Sequence, residues 1–296
     1  ELRSLLKLKP NSSIFGFPLR LTIYNLAKEN PKDAFENWID KKPNRRQKWE
    51  SFLSKKQLYN LKKAYIDFQD GIAEIGEAPS IIQSKPLKSS SLNLEKYYWN
   101  HGWFNAKVKH KVKKDSASNT AIVQYEINSG KAYEIDSLKI NISSHDADSI
   151  YQLNKKQSFL RKGNQFLLQD FENERARITE DFRNNGLFYF NKEKIFFNAD
   201  TLVEDNKINI ELIIEDRQIT KNDSTYTVPY KVRNISKINM FTDFDDKSTR
   251  YKDSLRFKDY TIYSKDGIKF KPKVLANAIF INKDDVFSED KRSLTY

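Results

Sequence analysis

Asn184-Asn185-Gly186-Leu187-Phe188 closes a helical stretch and opens an extended one, and Asn100-His101-Gly102-Trp103-Phe104 does the same 84 residues earlier. Ahead of Gly186, Leu168, Phe171, Ile178 and Phe182 recur at intervals of three, four or seven, the spacing of one helix face. Ahead of Gly102, Leu94, Tyr97 and Tyr98 follow Ser89-Ser90-Ser91, whose hydroxyls are placed to cap free amides. After each glycine the period changes to two. Ala106, Val108 and Val112 alternate with Lys107, Lys109 and Lys111, then a polar turn at 115–119 leads to a strand over 121–127. The later copy has an extended stretch at Tyr189–Phe197, a turn at Val203–Asn206 and a strand at 207–215. A helix that turns directly into a strand needs a left-handed residue past its last turn. Gly adopts that conformation cheaply, so Gly102 and Gly186 are assigned as structural turns.

Working outward, Tyr133–Ile142 alternates as a further strand, a short helix follows near 148–156, and Lys162-Gly163 forms a loop. The complete unit therefore reads strand, helix, helix, strand, strand. This predicts an α+β fold of tandem modules, each a small mixed three-stranded sheet covered by two helices. The first module, 1–128, lacks its opening strand, has Leu2–Leu8 as its first helix and carries a helical insertion at about 28–78. A complete module spans 129–218, and 228–296 starts a further, truncated one. Linkers near 129–130 and 217–227 are short, which predicts semi-rigid stacking. Within the insertion Trp49, Phe52, Leu61, Tyr65, Phe68, Ile72 and Ile75 follow helical spacing, read as a face packed on its own module or docking a partner.

Composition narrows the function. Apolar residues are 38% of 296, below the ~45–50% of typical soluble proteins, and 31% are charged. Thin modules with much surface fit this better than one large core, while 13% aromatics still let each module fold. The absence of cysteine excludes disulfides, thiolate metal sites and Cys nucleophiles. The three histidines, 101, 110 and 145, are not at ligand spacing; His101 reads as a helix-end cap, like Asn185 in the repeat. No Gly-rich phosphate loop, Gly-x-Ser-x-Gly or His-Glu-x-x-His is present. Asp243, Asp245 and Asp246 resemble a calcium loop only until position 254, which is Ser where a bidentate Glu is required; they read as a solvated turn. No catalytic, cofactor or metal residue is assigned. The net charge of +12 falls entirely in residues 1–114, which hold 23 Lys and Arg against 11 Asp and Glu. Such a segment suits a solvated lysine-rich face, an acidic partner or membrane face, or, on charge alone, nucleic acid. Lacking any nucleic-acid fold signature, the chain is not expected to bind nucleic acid.

The strand–helix–helix–strand–strand unit with glycine between second helix and second strand resembles POTRA domains, the periplasmic modules that precede the barrel of outer-membrane assembly proteins. Lys9-Pro10-Asn11, Gly16-Phe17-Pro18-Leu19 running to Ile23-Tyr24-Asn25-Leu26, Gly76-Glu77-Ala78-Pro79, Asn100–Ala106 and Lys271-Pro272-Lys273-Val274-Leu275 are similar to the Bacteroidetes-type TamL lipoproteins. These are relatives of TamA and BamA in the bacterial surface antigen family. The resemblance implies a non-enzymatic scaffold at the periplasmic face of the outer membrane, in protein transport and outer-membrane protein assembly. Its parent chain would continue into a C-terminal β-barrel and carry a lipid anchor outside these residues. The implied partners are nascent barrel proteins or a TamB-like, inner-membrane-anchored protein drawn to the basic first module. A BamA-like barrel insertase is the alternative. The opening at Glu1, without an initiator Met, reads as an excised piece of a longer chain.

Open sheet edges offer a binding mode, in which an extended partner segment pairs its backbone with an unpaired strand. The candidate edges are Asn105–Val112, with Lys107, Val108, Lys109 and Lys111, and Tyr189–Phe197, with Tyr189, Phe190 and Ile195. A lysine-studded edge also has a defensive reading, since lysine repels unwanted pairing.

Overall fold

Helices dominate the first hundred residues: α1 (Leu19–Leu26), α2 (Pro31–Asp40), α3 (Arg45–Phe52), α4 (Lys55–Ile75) and α5 (Ser84–Asn100). Pro31 sits at the first turn of α2, where its missing N–H costs nothing. Ser54 starts α4 with a capping box, its hydroxyl accepting from the Gln57 amide while the Gln57 side chain accepts from the Ser54 amide. A hairpin of β1 (Lys107–Asp115) and β2 (Thr120–Asn128) follows. The computed structural model describes residues 1–201, 206–243 and 251–295. These divide into two compact units, Glu1–Lys96 with Lys107–Ile127, and Tyr97–Ala106 with Asn128–Tyr296.

In the first unit α2 buries Phe35 and Ile39. Phe35 packs on Tyr65 of α4 at 5.7 Å, and Trp38 packs on Trp49 at 5.9 Å. The inward stripe of α4 is Leu58, Tyr65, Ile66, Gln69 and Ile72. Leu61, Phe68 and Ile75 instead form a second stripe on the solvent side, Phe68 and Ile75 each 65% exposed, and Phe52 of α3 is likewise exposed. The expectation of one apolar face is corrected on this point. Two further corrections apply. Leu2–Leu8 holds only a 3₁₀ turn at Leu2–Leu5. Ser90 and Ser91 lie buried inside α5, where Ser90 accepts the Lys7 amide at 2.9 Å and Ser91 meets His110 Nδ1 at 3.1 Å.

The second unit opens its complete module with β3 (Glu134–Ile142), α6 (His145–Asn154), α7 (Leu168–Asn184), β4 (Ile195–Asp200) and β5 (Lys207–Ile214). The sheet order is β3-β5-β4, with β5 parallel to β3 and antiparallel to β4. This is the expected strand–helix–helix–strand–strand module, an α+β layer with both helices on one face. Ile208, Ile210, Leu212 and Ile214 of β5 are fully buried beneath Phe171, Ile178 and Phe182 of α7. Burying each such side chain is worth about 1.5–3 kcal/mol. A charged cluster ties the loop after α6 to α7. Buried Glu174 accepts from Arg177 at 2.7 and 3.0 Å and from the Phe159 amide, and Arg177 continues to Asp181 at 2.6 Å. Burial beside this cluster pushes the Tyr151 hydroxyl up to about 12.

A hairpin of β6 (Arg217–Lys221) and β7 (Ser224–Val228) follows, turning on Asn222 and Asp223, both left-handed. It occupies the stretch expected to be a plain linker. The third module begins with β8 (Ile238–Phe241), β9 (Asp253–Phe257) and β10 (Tyr260–Ser264), then α8 (Pro272–Asn277) and α9 (Glu289–Thr295). Its sheet order is β8-β10-β9. Of the expected strand over 230–241, only Ile238–Phe241 joins a sheet, and Asn234 forms a separate bridge to Val286. The second and third modules share one compact unit, and a hydrogen-bonded corner joins them.

Candidate partner-binding surfaces

Gly102 and Gly186 hold φ of +86° and +94° at matching corners. The Trp103 amide returns to the Tyr98 carbonyl at 3.0 Å and the Leu187 amide to the Phe182 carbonyl at 2.9 Å. His101 and Asn185 each cap the carbonyl four residues back, through Nδ1 to Tyr97 at 2.7 Å and Nδ2 to Asp181 at 2.8 Å. The glycine carbonyls then receive the next strand: Tyr133 donates to Gly102 and Arg233 to Gly186, both at 2.9 Å. Three more bonds recur. Phe166 donates to Tyr133 and Phe287 to Arg233; Ile135 donates to Asn164 and Ile235 to Asp285; Gly163 donates to Ile135 and Asp284 to Ile235. An aromatic pair closes each corner, Phe104 on Phe166 and Phe188 on Phe287, both at 4.9 Å. The repeat inferred from two short motifs is thus a repeat of hydrogen bonds.

The corners position the candidate edges. β4 lies at an outer edge of its sheet, as expected for the strand after the second helix, but begins at Ile195. Tyr189 and Phe190 precede it, and a 3₁₀ turn at Lys192–Lys194 intervenes. This corrects the extended reading of Tyr189–Phe197. Phe190 is 0% exposed, packed between Phe182 and Tyr230, and its amide donates to the Leu187 carbonyl, so it is no edge donor. Tyr189 is 53% exposed, under the Arg217 guanidinium at 4.0 Å. The Ile195 side chain is buried in the core, and its carbonyl accepts from Arg175 at 3.3 Å.

The ladder identifies which amides of β4 are open. Ser143 donates to the Ile214 carbonyl, so residues 210, 212 and 214 of β5 turn their polar groups toward β3, and 209, 211 and 213 turn theirs toward β4. Their partners Phe196, Asn198 and Asp200 are engaged. Phe197 and Ala199, the alternate residues, therefore direct their amides to the open side.

On β1, Lys107, Lys109 and Lys111 are exposed and Val108 is buried, the expected alternation. Lys111 pairs with Glu126 at 2.6 Å. The Val108 amide is taken by the Glu95 carboxylate of α5 at 2.8 Å, which closes that position of the edge.

A feature missed at the level of sequence is the mutual contact of two quoted motifs. Asn11 donates to the Ala78 carbonyl at 2.7 Å and accepts the Ser80 amide at 2.9 Å, while Glu77 accepts the amide and hydroxyl of Ser12. These bonds hold the Glu77 carboxyl below the usual glutamate range. Two polar motifs more than sixty residues apart, each without an apolar period, were the available signal.

No known protein-family profile matches the chain, and no curated protein matches it. Among solved structures it is similar to BamA POTRA3-5 of Haemophilus influenzae, at 12% identity and TM-score 0.32, over 74% of this chain and 70% of that one. It is also similar to BamA of Haemophilus ducreyi lacking POTRA domains 1-3, at 12% and 0.32, over 48% of this chain and 25% of that one. CdiB from Escherichia coli is similar at 9% and 0.24, over 47% and 23%. The chain thus spans about a quarter of the latter two. No helix among the described residues is long and apolar enough to cross a membrane.

Proposed function

We propose that this chain is a periplasmic docking region of an outer-membrane protein assembly or translocation factor of the TamL type, with a BamA-like insertase as the neighbouring identity. Its clients are nascent barrel proteins, which add extended segments to the open edge of β4, and it carries out no catalysis. The observation that supports this reading is the β4 edge itself. The amides of Phe197 and Ala199 lie on a strand that the corner at Gly186 and the buried β5 hold in place. Backbone pairing tolerates many client sequences, as an assembly factor requires. The excess positive charge of residues 1–114 suits an acidic partner such as a TamB-like protein.

Replacing Ala199 with proline tests the edge, because it removes one open donor and spares the ladder to β5. In-cell photocrosslinking from position 196 is expected to capture outer-membrane barrel proteins in the native chain and several-fold less in Ala199→Pro. Equal capture in a folded variant would overturn pairing at this edge. For the basic segment, binding to an acidic partner is expected to weaken steeply from low to high salt; salt-independent binding would exclude charge as the attraction.

A further inference from the structure

In the order β3-β5-β4 the margin opposite β4 is β3. Ser143 turns its amide to β5, and counting back in steps of two places Asn141, Lys139 and Ser137 on the same side. Leu138, Ile140 and Ile142 therefore direct their N–H and C=O groups away from β5, while their side chains pack on the core. Earlier on the strand the chain itself takes the outward groups. Ile135 donates to the Asn164 carbonyl at 2.8 Å and accepts from the Gly163 amide at 2.7 Å, and Gln165 bridges Glu134 antiparallel. A bulge between Ile135 and Ser137 keeps the phase. The loop leaves β3 at Lys162, and past that point no described residue pairs with this side.

A cleft of about 610 Å³ opens where the loop departs, with Leu138 and Leu160 in its lining. Lys155, Lys156, Arg161 and Lys162 also line it, against one acid, Asp136. Asp136 is already shared by Lys162 at 3.5 Å and Lys207 at 3.8 Å. Lys155, Lys156 and Arg161 are exposed and have no acidic partner among the described residues. The Arg161 guanidinium is held in place, donating to the Ser158 carbonyl at 2.9 Å and the Lys156 carbonyl at 3.1 Å. Like charges gathered in this way repel one another, and carboxylates supplied from outside relieve that.

We propose that the outer edge of β3 and this cleft form one binding site for an extended acidic segment of a partner protein. The segment continues the row that residues 163–165 begin, its backbone bonding Leu138 and Ile140. Carboxylates at alternate positions then reach Lys155, Lys156 and Arg161 on the turn after α6. The pairing supplies direction and register, and the cations select acidic sequences from the many that could pair. The site is separate from the β4 edge, and a different pair of amides reports on it.

The test uses the full chain, ¹⁵N-labelled, and a synthetic octapeptide alternating glutamate and valine. On peptide addition the Leu138 and Ile140 amides are expected to exchange at least about tenfold more slowly, as befits newly formed hydrogen bonds. Lys139 and Asn141, already bonded to β5, are expected to stay unchanged. The same peptide with lysine in place of glutamate should slow none of them. Lys155→Glu combined with Lys156→Glu, at two exposed side chains, should weaken binding at least about tenfold, and raising the salt should weaken it in the native chain. Equal slowing by the lysine peptide, or binding indifferent to the charge reversal, would overturn the proposal. So would peptide binding that leaves Leu138 and Ile140 exchanging as before. Phosphatidylglycerol vesicles that bind through the same lysines where the peptide does not would overturn it in favour of a membrane face. Protection confined to Phe197 and Ala199 would overturn it while supporting pairing at β4, and protection confined to Leu138 and Ile140 would support it whatever the fate of the β4 reading.

Discussion

The corners at Gly102 and Gly186 share every backbone bond compared above, yet they are built to tolerate different changes. A Cβ on Gly102 would lie 2.8 Å from the Phe166 carbonyl oxygen and 3.3 Å from that of Tyr133, both backbone atoms. A Cβ on Gly186 would meet Val232 Cγ1 at 2.7 Å and Val286 Cγ1 at 2.9 Å. The first corner is closed by backbone, rings and one polar tie, Gln165 Nε2 donating to the His101 carbonyl at 2.6 Å, with Phe104 also on Tyr133 at 4.9 Å and beside Trp99 at 5.3 Å. The second adds polar ties: Arg183 to Glu289 at 2.5 Å, and Asn184 to Asp290 and Ser288. One hydrogen-bond pattern can therefore be filled by two kinds of packing, and only the pattern repeats.

That contrast can be broken by substitution. Gly102→Ala carries the cost of a left-handed L-residue plus a backbone clash, together roughly 3 kcal/mol or more. No side-chain trimming should rescue it. Gly186→Ala is expected to cost about 2 kcal/mol, with part recovered when Val286 is also cut to Ala, because a side chain is the obstacle there. Urea unfolding checks both; recovery of Gly102→Ala by a second-site truncation would erase the distinction. Phe104→Ala should cost about 3 kcal/mol and the partly exposed Phe188→Ala about 1, read as faster amide exchange at Tyr133 and Arg233 respectively.

The smallest effect depends on pH. Arg292, and then Arg183, hold the Glu289 carboxyl below its ordinary value of 4.5. A lowered folded pKa means a contribution fully present above 4.5 and lost as pH falls through the folded value. The Arg233 amide should lose protection over that range, by less than about 1 kcal/mol for this partly exposed pair, while Tyr133 keeps its own. Parallel loss at both amides would mean that the ion pair does not distinguish the corners.

The corners were legible because a helix passing directly into a strand leaves few residues able to make the turn. Other features were hidden for physical reasons. α4 carries two apolar stripes, and spacing cannot separate them; the predicted face mixed Tyr65 and Ile72 of the covered stripe with Leu61, Phe68 and Ile75 of the open one. The break between Phe190 and Ile195 was masked because Phe188, Phe190, Ile195 and Phe197 keep a strand-like rhythm across a 3₁₀ turn. The β6–β7 hairpin has almost no apolar alternation, being exposed on both faces, and only its Asn222-Asp223 turn marked it. For the candidate edges, the position of β4 at the sheet margin was legible from topology. Which amides stay open was not, since that follows from hydrogen-bond phase. The acidic residues Asp245 and Asp246 lie outside the described residues, as does most of the turn at Val203–Asn206; Asp243 accepts the Lys265 amide at 2.7 Å.

The hairpin of β6 and β7 also separates contour from distance. Arg217 and Val228 are paired partners, so a dozen residues of chain return to within one strand spacing of where they left. Whatever is spliced into the tip at Asn222-Asp223, an epitope, a fluorophore or a longer ribbon, adds length to the polypeptide and none to the bridge between its flanking modules.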